Sequence, residues 1–328
     1  MVPFNFKQLC RVTNDRREVV VAWCQDRGLL PRQMPCARCG ENSTLTFQCS
    51  RKPFWRCQRA GHNWKKSITT DTFFEGCHLP IAQVLEMLFV ITAGGATVTA
   101  IQRIASQETK TLSRKTIASW VWYFRDTCFR WIDEVLSQGA RKIGGPGKVV
   151  EIDEAKVGKR KYHRGRLVEG IWILGMVELQ TGTAGTRRRG GSVRLEVCPG
   201  NKRDTATLLT LIQRHVLPGT TIMTDRWAAY NSLTAAGYNH LTVNHSYHFV
   251  DPQTWANTQT IESQWRAFKT RHSHAGGTRH QGFGMHLCEF MWRREMDNKG
   301  LDPFLGFLET AAAVYPPGPT PVRRLPAP

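Results

Sequence analysis

The sequence predicts a mixed α/β protein whose strand-and-helix part is preceded by a cysteine-bearing ribbon and a helical segment. Three patterns carry that expectation. After the punctuation Gly144-Gly145-Pro146-Gly147, the run Lys148–Glu154 alternates as a strand does, and strand-like and helix-like stretches then succeed one another. Upstream, Cys36 and Cys39 stand two residues apart before short polar and aromatic runs, as in a metal knuckle. Between them, apolar residues from 79 to 136 recur at helical spacing.

A chain of 328 residues with 41% hydrophobic content has room for two or three domains and at least one sizeable core. Its formal charge of +19 exceeds what solubility requires and favours a polyanionic partner, most simply nucleic acid. No apolar run is long enough to span a bilayer, and MVPFNFKQLCRV lacks a secretory pattern. Ten cysteines could pair, but the knuckle spacing and basic composition favour reduced thiols that bind metal.

Residues 1–34 read as a helical lead-in. Its helix over Asp15–Arg27 carries a Val19, Val20, Trp23, Cys24 stripe and is stopped by Gly28. Residues 35–78 read as a zinc ribbon. Cys36 and Cys39 form one knuckle, with Gly40 relaxing the turn, and strands are expected over Leu45–Cys49 and Phe54–Cys57. The second knuckle is Cys57-x4-His62 where a second Cys-x2-Cys would be usual, so His62 is the expected fourth ligand of a Cys3His site holding one structural Zn2+. Cys49 is its rival, although it sits in mid-strand.

Residues 79–140 read as helices. Pro80 opens the first, Gly94-Gly95 interrupts it, and Thr97–Ala105 and Ser113–Trp131 follow. The order of short helix, turn and longer helix suggests a helix-turn-helix reader with Arg114 and Lys115 at the DNA. The stripe Ile117, Trp120, Val121, Phe124, Cys128 reads as a core seam.

From 148 to 295 the pattern is α/β. Strands are expected at Glu151–Asp153, Leu167–Leu179, Ser192–Val197 and Thr221–Asp225, and helices at Asp204–His215, Trp227–Leu233 and Thr258–Thr270. Two strands end on Asp153 and Asp225, and Glu262 lies beside the apolar stripe of the last helix. Strand-Asp, strand-Asp, helix-Glu is the order in which an RNase H-like sheet gathers carboxylates for two divalent ions, Mg2+ or Mn2+. Read alone, Glu262 could equally pair with Arg266 four residues on, and Glu151, on the face of Asp153, could be an outer helper.

Basic residues surround these acids. Lys156, Lys159, Arg160, Lys161 and Arg164 follow the first strand, Arg187, Arg188 and Arg189 lie in a Gly-rich loop, and Lys269 and Arg271 end the helix of Glu262. All are candidate phosphate contacts. A short amphipathic helix is expected before residue 292, and His272, His274 and His280 could make a second metal site, though phosphate contact suits them better. Residues 296–328 read as a C-terminal helix and a disordered Pro-rich tail.

These residues resemble the DDE transposases of the IS1016/IS1595 type, with an ISXO2-like transposase domain, and most of all their eukaryotic Merlin relatives. The matching blocks are ITTDTFFEGCHLPI (68–81), VVEIDEAKVGKRKYHRG (149–165), IMTDRWAAY (222–230), ANTQTIESQWRAFKTR (256–271) and HLCEFMWRR (286–294). The resemblance implies Asp153, Asp225 and Glu262 as catalytic metal ligands, and the 36 residues separating the last two resemble the Merlin pattern. It further implies double-stranded DNA with terminal inverted repeats as substrate, cut-and-paste movement into target DNA, and a homodimer or higher assembly on DNA. The expected location is the nucleus in a eukaryotic host, which is favoured, or the cytoplasm and nucleoid in a bacterial one. The alternatives are a domesticated DNA-binding protein and a structure-selective nuclease without strand transfer. The Trp120–Trp131 and Phe304–Tyr315 stretches could form the dimer face, with core packing as the simpler account.

Overall fold

The computed structural model describes residues 4–48, 51–94, 97–106, 111–137, 142–158, 170–180, 190–244, 250–271 and 280–318. They form two compact units, one made of 1–131 with 300–328 and the other of 132–299. Among the described residues no helix is long and apolar enough to cross a membrane.

The first unit opens with two helices, α1 (Phe6–Thr13) and α2 (Arg17–Asp26). The sequence reading anticipated only α2; α1 is short, but Asn5 and Gln8 close a reciprocal capping box at its start. An antiparallel three-stranded sheet follows: β1 (Thr44–Gln48), β2 (Arg51–Arg56) and β3 (Lys65–Ser67). Helices α3 (Ile81–Ala93), α4 (Val98–Ala105) and α5 (Arg114–Ser137) come next.

The core of this unit is aromatic. Phe73 meets Trp120, Phe307 and Tyr315 edge-on or tilted, and Phe124 lies 4.9 Å from Phe307 between ring centres. The terminal helix, α9 (Pro303–Val314), thus supplies core residues to the helices at the start of the chain. Its cap, Asp302, accepts from the Phe304 and Leu305 amides with one oxygen and from Phe4 N–H with the other. Trp120, Phe124, Phe304 and Phe307 are all buried, so these parts of the two suggested dimer faces are intramolecular core.

In the second unit β4 (Ile143–Gly144) pairs with a short β8 (Val216–Leu217). The main sheet contains β5 (Val149–Val157), β6 (Ile171–Leu179), β7 (Gly190–Val197), β9 (Thr221–Asp225) and β10 (Asn239–Val243), in the order β10-β9-β5-β6-β7. The hairpins β5-β6 and β6-β7 are antiparallel, and β9 runs parallel to both β5 and β10. Helix α6 (Thr205–His215) covers one face, where Val150, Ile152, Leu174 and Met176 meet Leu208, Leu211 and Ile212. Helices α7 (Gln259–Arg271) and α8 (His280–Lys299) lie on the other.

Three expectations need correction. The stretch Trp227–Leu233 is a single 3-10 turn, Ala228–Tyr230, followed by hydrogen-bonded turns. Its start is held extended, because the Trp227 amide is bound to the Asp225 side chain. The short helix near 292 is the 20-residue α8. Strand β10 went unanticipated because Asn239-His-Leu-Thr-Val243 has only a weak alternation; it is recruited by in-register pairing from Asn239↔Thr221 to Val243↔Asp225.

Candidate active site and metal centre

The acids come together through strand register. Adjacent parallel strands pair Val149 with Thr221 and Glu151 with Met223, where the pairing ends; Asp153 and Asp225 follow two residues beyond it, near enough for the charge of Asp225 to act on Asp153. Both lie on the α7 side of the sheet, since residues of the opposite parity, Val150, Ile152 and Ile222, are in the α6 core. Glu262 stands in the first turn of α7.

Glu151 brings that turn to the sheet. It is fully buried, and its Oε2 accepts from the Thr260 and Ile261 amides at 2.8 and 2.9 Å. A carboxylate from β5 thereby satisfies two otherwise orphan donors at the α7 N-terminus. The residue expected to be an outer helper is a clamp between strand and helix.

Each of the three acids has an oxygen held by a protein donor. Trp265 Nε1–H donates to Asp153 Oδ2 at 3.1 Å, the Trp227 amide to Asp225 Oδ1 at 3.0 Å, and the Thr258 hydroxyl to Glu262 Oε1 at 3.2 Å. Burial pushes the Asp153 carboxyl up to about 6, and the charges of Asp225 and Glu262 add to that rise against donors that oppose it. Three carboxylates gathered this closely are a donor set suited to hard divalent cations. Asp153 and Glu262 line an open cleft of about 690 Å3 with Glu154, Trp265, Arg266 and Lys269.

Glu154 borders that cleft but alternates to the α6 side of β5, where its carboxylate is bound by the Tyr230 hydroxyl and lies 3.8 Å from Arg203. Burial drives Glu154 up to about 7, with Asp153 and Asp225 contributing repulsion.

The second cluster lies in the first unit. Ligand atoms of Cys36, Cys39, Cys57 and His62 all fall within 4.8 Å of one another. Cys39 Sγ to Cys57 Sγ and Cys57 Sγ to His62 Nδ1 are both 3.7 Å. Four ligands tetrahedrally arranged around zinc, with bonds of about 2.0–2.3 Å, would stand roughly 3.5–3.8 Å apart; those two pairs match, and Cys36 Sγ to His62 Nδ1 is slightly wider at 4.0 Å. Gly40 at φ +73° closes the knuckle, and the Arg38 amide points at Cys36 Sγ at 3.4 Å. This is the Cys3His set expected from the spacing, and it suggests a structural zinc site. Cys49 lies outside the described residues.

Among the basic candidates, Arg114 and Lys115 are exposed in the first turn of α5, where Ser113 Oγ accepts from the Thr116 amide. Lys269 lines the acidic cleft, Arg271 ends α7, and Lys156 lies over the Trp172 ring. Lys159, Arg160, Lys161, Arg164, Arg187, Arg188 and Arg189 lie outside the described residues, as do His272 and His274.

Residues 142–295, which hold the five-stranded sheet, α7 and most of α8, match the model of the ISXO2-like transposase domain. An uncharacterized transposase-like protein of Haemophilus influenzae is 31% identical over 88 residues, which span 27% of this chain and 70% of that one. This chain belongs to the ISXO2-like (IS1595) transposase family. Its relationship to known members of that family is distant. A Drosophila P element transposase strand transfer complex is 12% identical, with a TM-score of 0.23, over 64% of this chain and 56% of that one. Likeness at that level carries no argument.

Sequence reading missed Glu151 as a clamp, Trp265 and Thr258 as holders of the acids, and Arg203. For Glu151 a signal existed: a carboxylate on the core face of a strand needs buried donors, and a helix N-terminus offers them. Nothing local announced Arg203, whose neighbours come from β6 and from the turn after β9.

Proposed function

We propose that the chain is a DNA transposase with an RNase H-like catalytic domain that cuts element ends and joins them to target DNA. The observation carrying this reading is the gathering of Asp225 and Glu262 near enough to Asp153 for both charges to act on it, with the first turn of α7 fastened to β5 through Glu151. The sheet order, with one central hairpin strand antiparallel to its neighbours, supports the fold assignment. Family membership supports DNA as the substrate.

In this reading Asp153, Asp225 and Glu262 hold two Mg2+ or Mn2+ ions. Such a pair, when bound, activates an attacking hydroxyl and stabilises the leaving oxygen of a phosphodiester. The chain's own contribution is orientation: Trp265, Trp227 and Thr258 fix one oxygen of each acid in advance. Lys269 and Arg266, in the same cleft, neutralise phosphate beside the acids. Helices α4 and α5 serve as the helix-turn-helix reader of terminal inverted repeats, with Arg114 and Lys115 entering first. The Cys3His ribbon holds zinc and braces that region. Two ends must be joined in concert and one chain has one acid triad, so the active species is a dimer or larger on DNA.

Incubation with element-end DNA, a target plasmid and Mg2+ tests the proposal. Joined end–target products are expected, and Asp153→Ala, Asp225→Ala and Glu262→Ala should abolish them while leaving DNA binding intact. Cutting without joining would make the protein a nuclease. A mobility shift with neither would make it a DNA-binding protein that keeps only the fold.

A further inference from the structure

On the α6 face of the sheet, one residue along β5 from Asp153, stands a group that the acid chemistry does not use. The Arg203 guanidinium lies against two indoles, with its Cζ 4.1 Å from the Trp172 ring centre and 4.5 Å from that of Trp227. Lys156 approaches the Trp172 ring at 5.5 Å. The side chain of Arg203 nevertheless remains 43% exposed, and its carboxylate neighbour, Glu154, is 3.8 Å away, beyond hydrogen-bond length.

The loop carrying Arg203 is built to hold it there. Asn201 sits at φ +56°, and its side chain accepts from the Trp172 amide at 2.7 Å and donates to Gly170 O at 3.1 Å. The Cys198 amide adds a bond to Trp172 O at 2.9 Å. The turn is thus fastened to the start of β6 on both sides of Trp172. On the other side, Trp227 is tied through its own amide to Asp225. Arg203 is thus held between β6 and the turn that follows Asp225, with Lys202 exposed beside it and Arg226 exposed beside Trp227 in the chain.

A guanidinium stacked on indole rings keeps its in-plane N–H edge for binding, and that edge matches the oxygens of a phosphate diester. Its rotamer entropy is largely spent before binding, so a contact made there loses less of its energy to ordering. Neutralising buried Glu154 does not by itself call for two tryptophans and a fastened loop, since the Tyr230 hydroxyl already binds that acid. We propose that Trp172, Arg203 and Trp227 form a phosphate-binding site that grips the backbone of duplex DNA next to the carboxylate cleft. The proposal rests on the reading of the chain as a DNA-acting protein.

The test uses the full chain, a random-sequence DNA duplex and a series of KCl concentrations. Arg203→Ala should weaken binding on the order of tenfold, the worth of one charged hydrogen bond, and make the slope of log affinity against log salt shallower by about 0.9. Trp172→Leu should weaken binding at unchanged slope, because the charge stays while its pre-ordering is lost. Should Arg203→Ala fail to fold, Arg203→Gln gives the same slope comparison with a polar stem beside Glu154. Wild-type slope and affinity in a folded Arg203 variant would overturn the site and leave the transposase reading standing. Failure of the wild-type chain to bind duplex would overturn both.

Discussion

At the level of single residues, the buried carboxylate of Glu151 decides where Glu262 stands. Replacing it by Ala orphans the Thr260 and Ile261 amides in a buried place, at a cost of about 2–3 kcal/mol. The larger effect should fall on chemistry. With α7 unclamped, the metal concentration for half-maximal cleavage is expected to rise several-fold, whereas Glu151→Gln, which keeps an acceptor oxygen, should restore most of it. An unchanged metal requirement in Glu151→Ala would remove the clamp role. Asp153 makes a second prediction, with a definite sign. Its carboxyl is raised from 3.8 to about 6, so the folded state binds the proton more tightly than the unfolded chain. The stabilisation this gives is complete below about pH 4, and it is lost as pH rises through about 6. Without divalent metal, Asp153→Asn should therefore stabilise the protein most at pH 8, by roughly half as much at pH 5, and little below about pH 4. Melting temperatures of the two proteins across that range give the answer, and a gap that does not change with pH would contradict the shift. Adding Mg2+ should shrink the gap at pH 8 by stabilising the wild type alone.

At the level of elements, the packing of α7 on β6 depends on a missing side chain. Gly175 pairs with Asp153 across the hairpin, and a Cβ there would lie 2.4 Å from Trp265 Cζ2 and 3.0 Å from Ile261 Cδ1. Gly175→Ala must push α7 outward, costing roughly 1–3 kcal/mol and withdrawing the indole N–H from Asp153. Cleavage should fall at least tenfold while the protein stays folded and DNA affinity is kept; wild-type turnover would show that Trp265 does not orient Asp153. This pairing also shows what the sequence could and could not disclose. The strands carrying Asp153 and Asp225 were legible because apolar residues alternate up to each acid, although β5 runs on through Asp153 to Val157 where an end at the acid was expected; α7 was legible because Ile261, Trp265 and Phe268 recur at helical spacing. The knuckle Cys36-x2-Cys39 and its partner His62 were legible from ligand spacing alone. Cross-strand relations left no local trace: that Gly175 faces Trp265, that Glu151 caps α7 and that β10 joins the sheet are consequences of register. The supposed helix at Trp227–Leu233 failed for a related reason, since a side-chain bond from Asp225 outweighs helical propensity there.

For the molecule as a whole, the question is how much depends on the zinc ligands. The chain divides into two compact units, and the Cys3His cluster belongs to the one formed by 1–131 with 300–328. The three short strands of the ribbon offer little core of their own: Trp55 and Cys57 are buried, while β1 and β3 carry only partly covered or exposed residues. Such a ribbon owes its order to metal, because ligand binding free energy is folding free energy when the unfolded chain has no preformed site. The sheet of the second unit has an extensive core of its own, from Val150 and Ile152 through Leu208 and Ile212 to Tyr230. Removing zinc with a chelator, or replacing Cys57 by Ser, should therefore loosen the ribbon and spare the sheet. Amide hydrogen exchange measured by mass spectrometry is expected to accelerate by orders of magnitude over 36–67. Peptides covering 149–157 and 171–179 should keep their protection. The protein as purified should carry one zinc per chain, and His62→Ala should lose it or bind it far more weakly. Equal loss of protection in both regions would mean that the sheet depends on the metal as well, and full zinc content in His62→Ala would remove His62 from the ligand set.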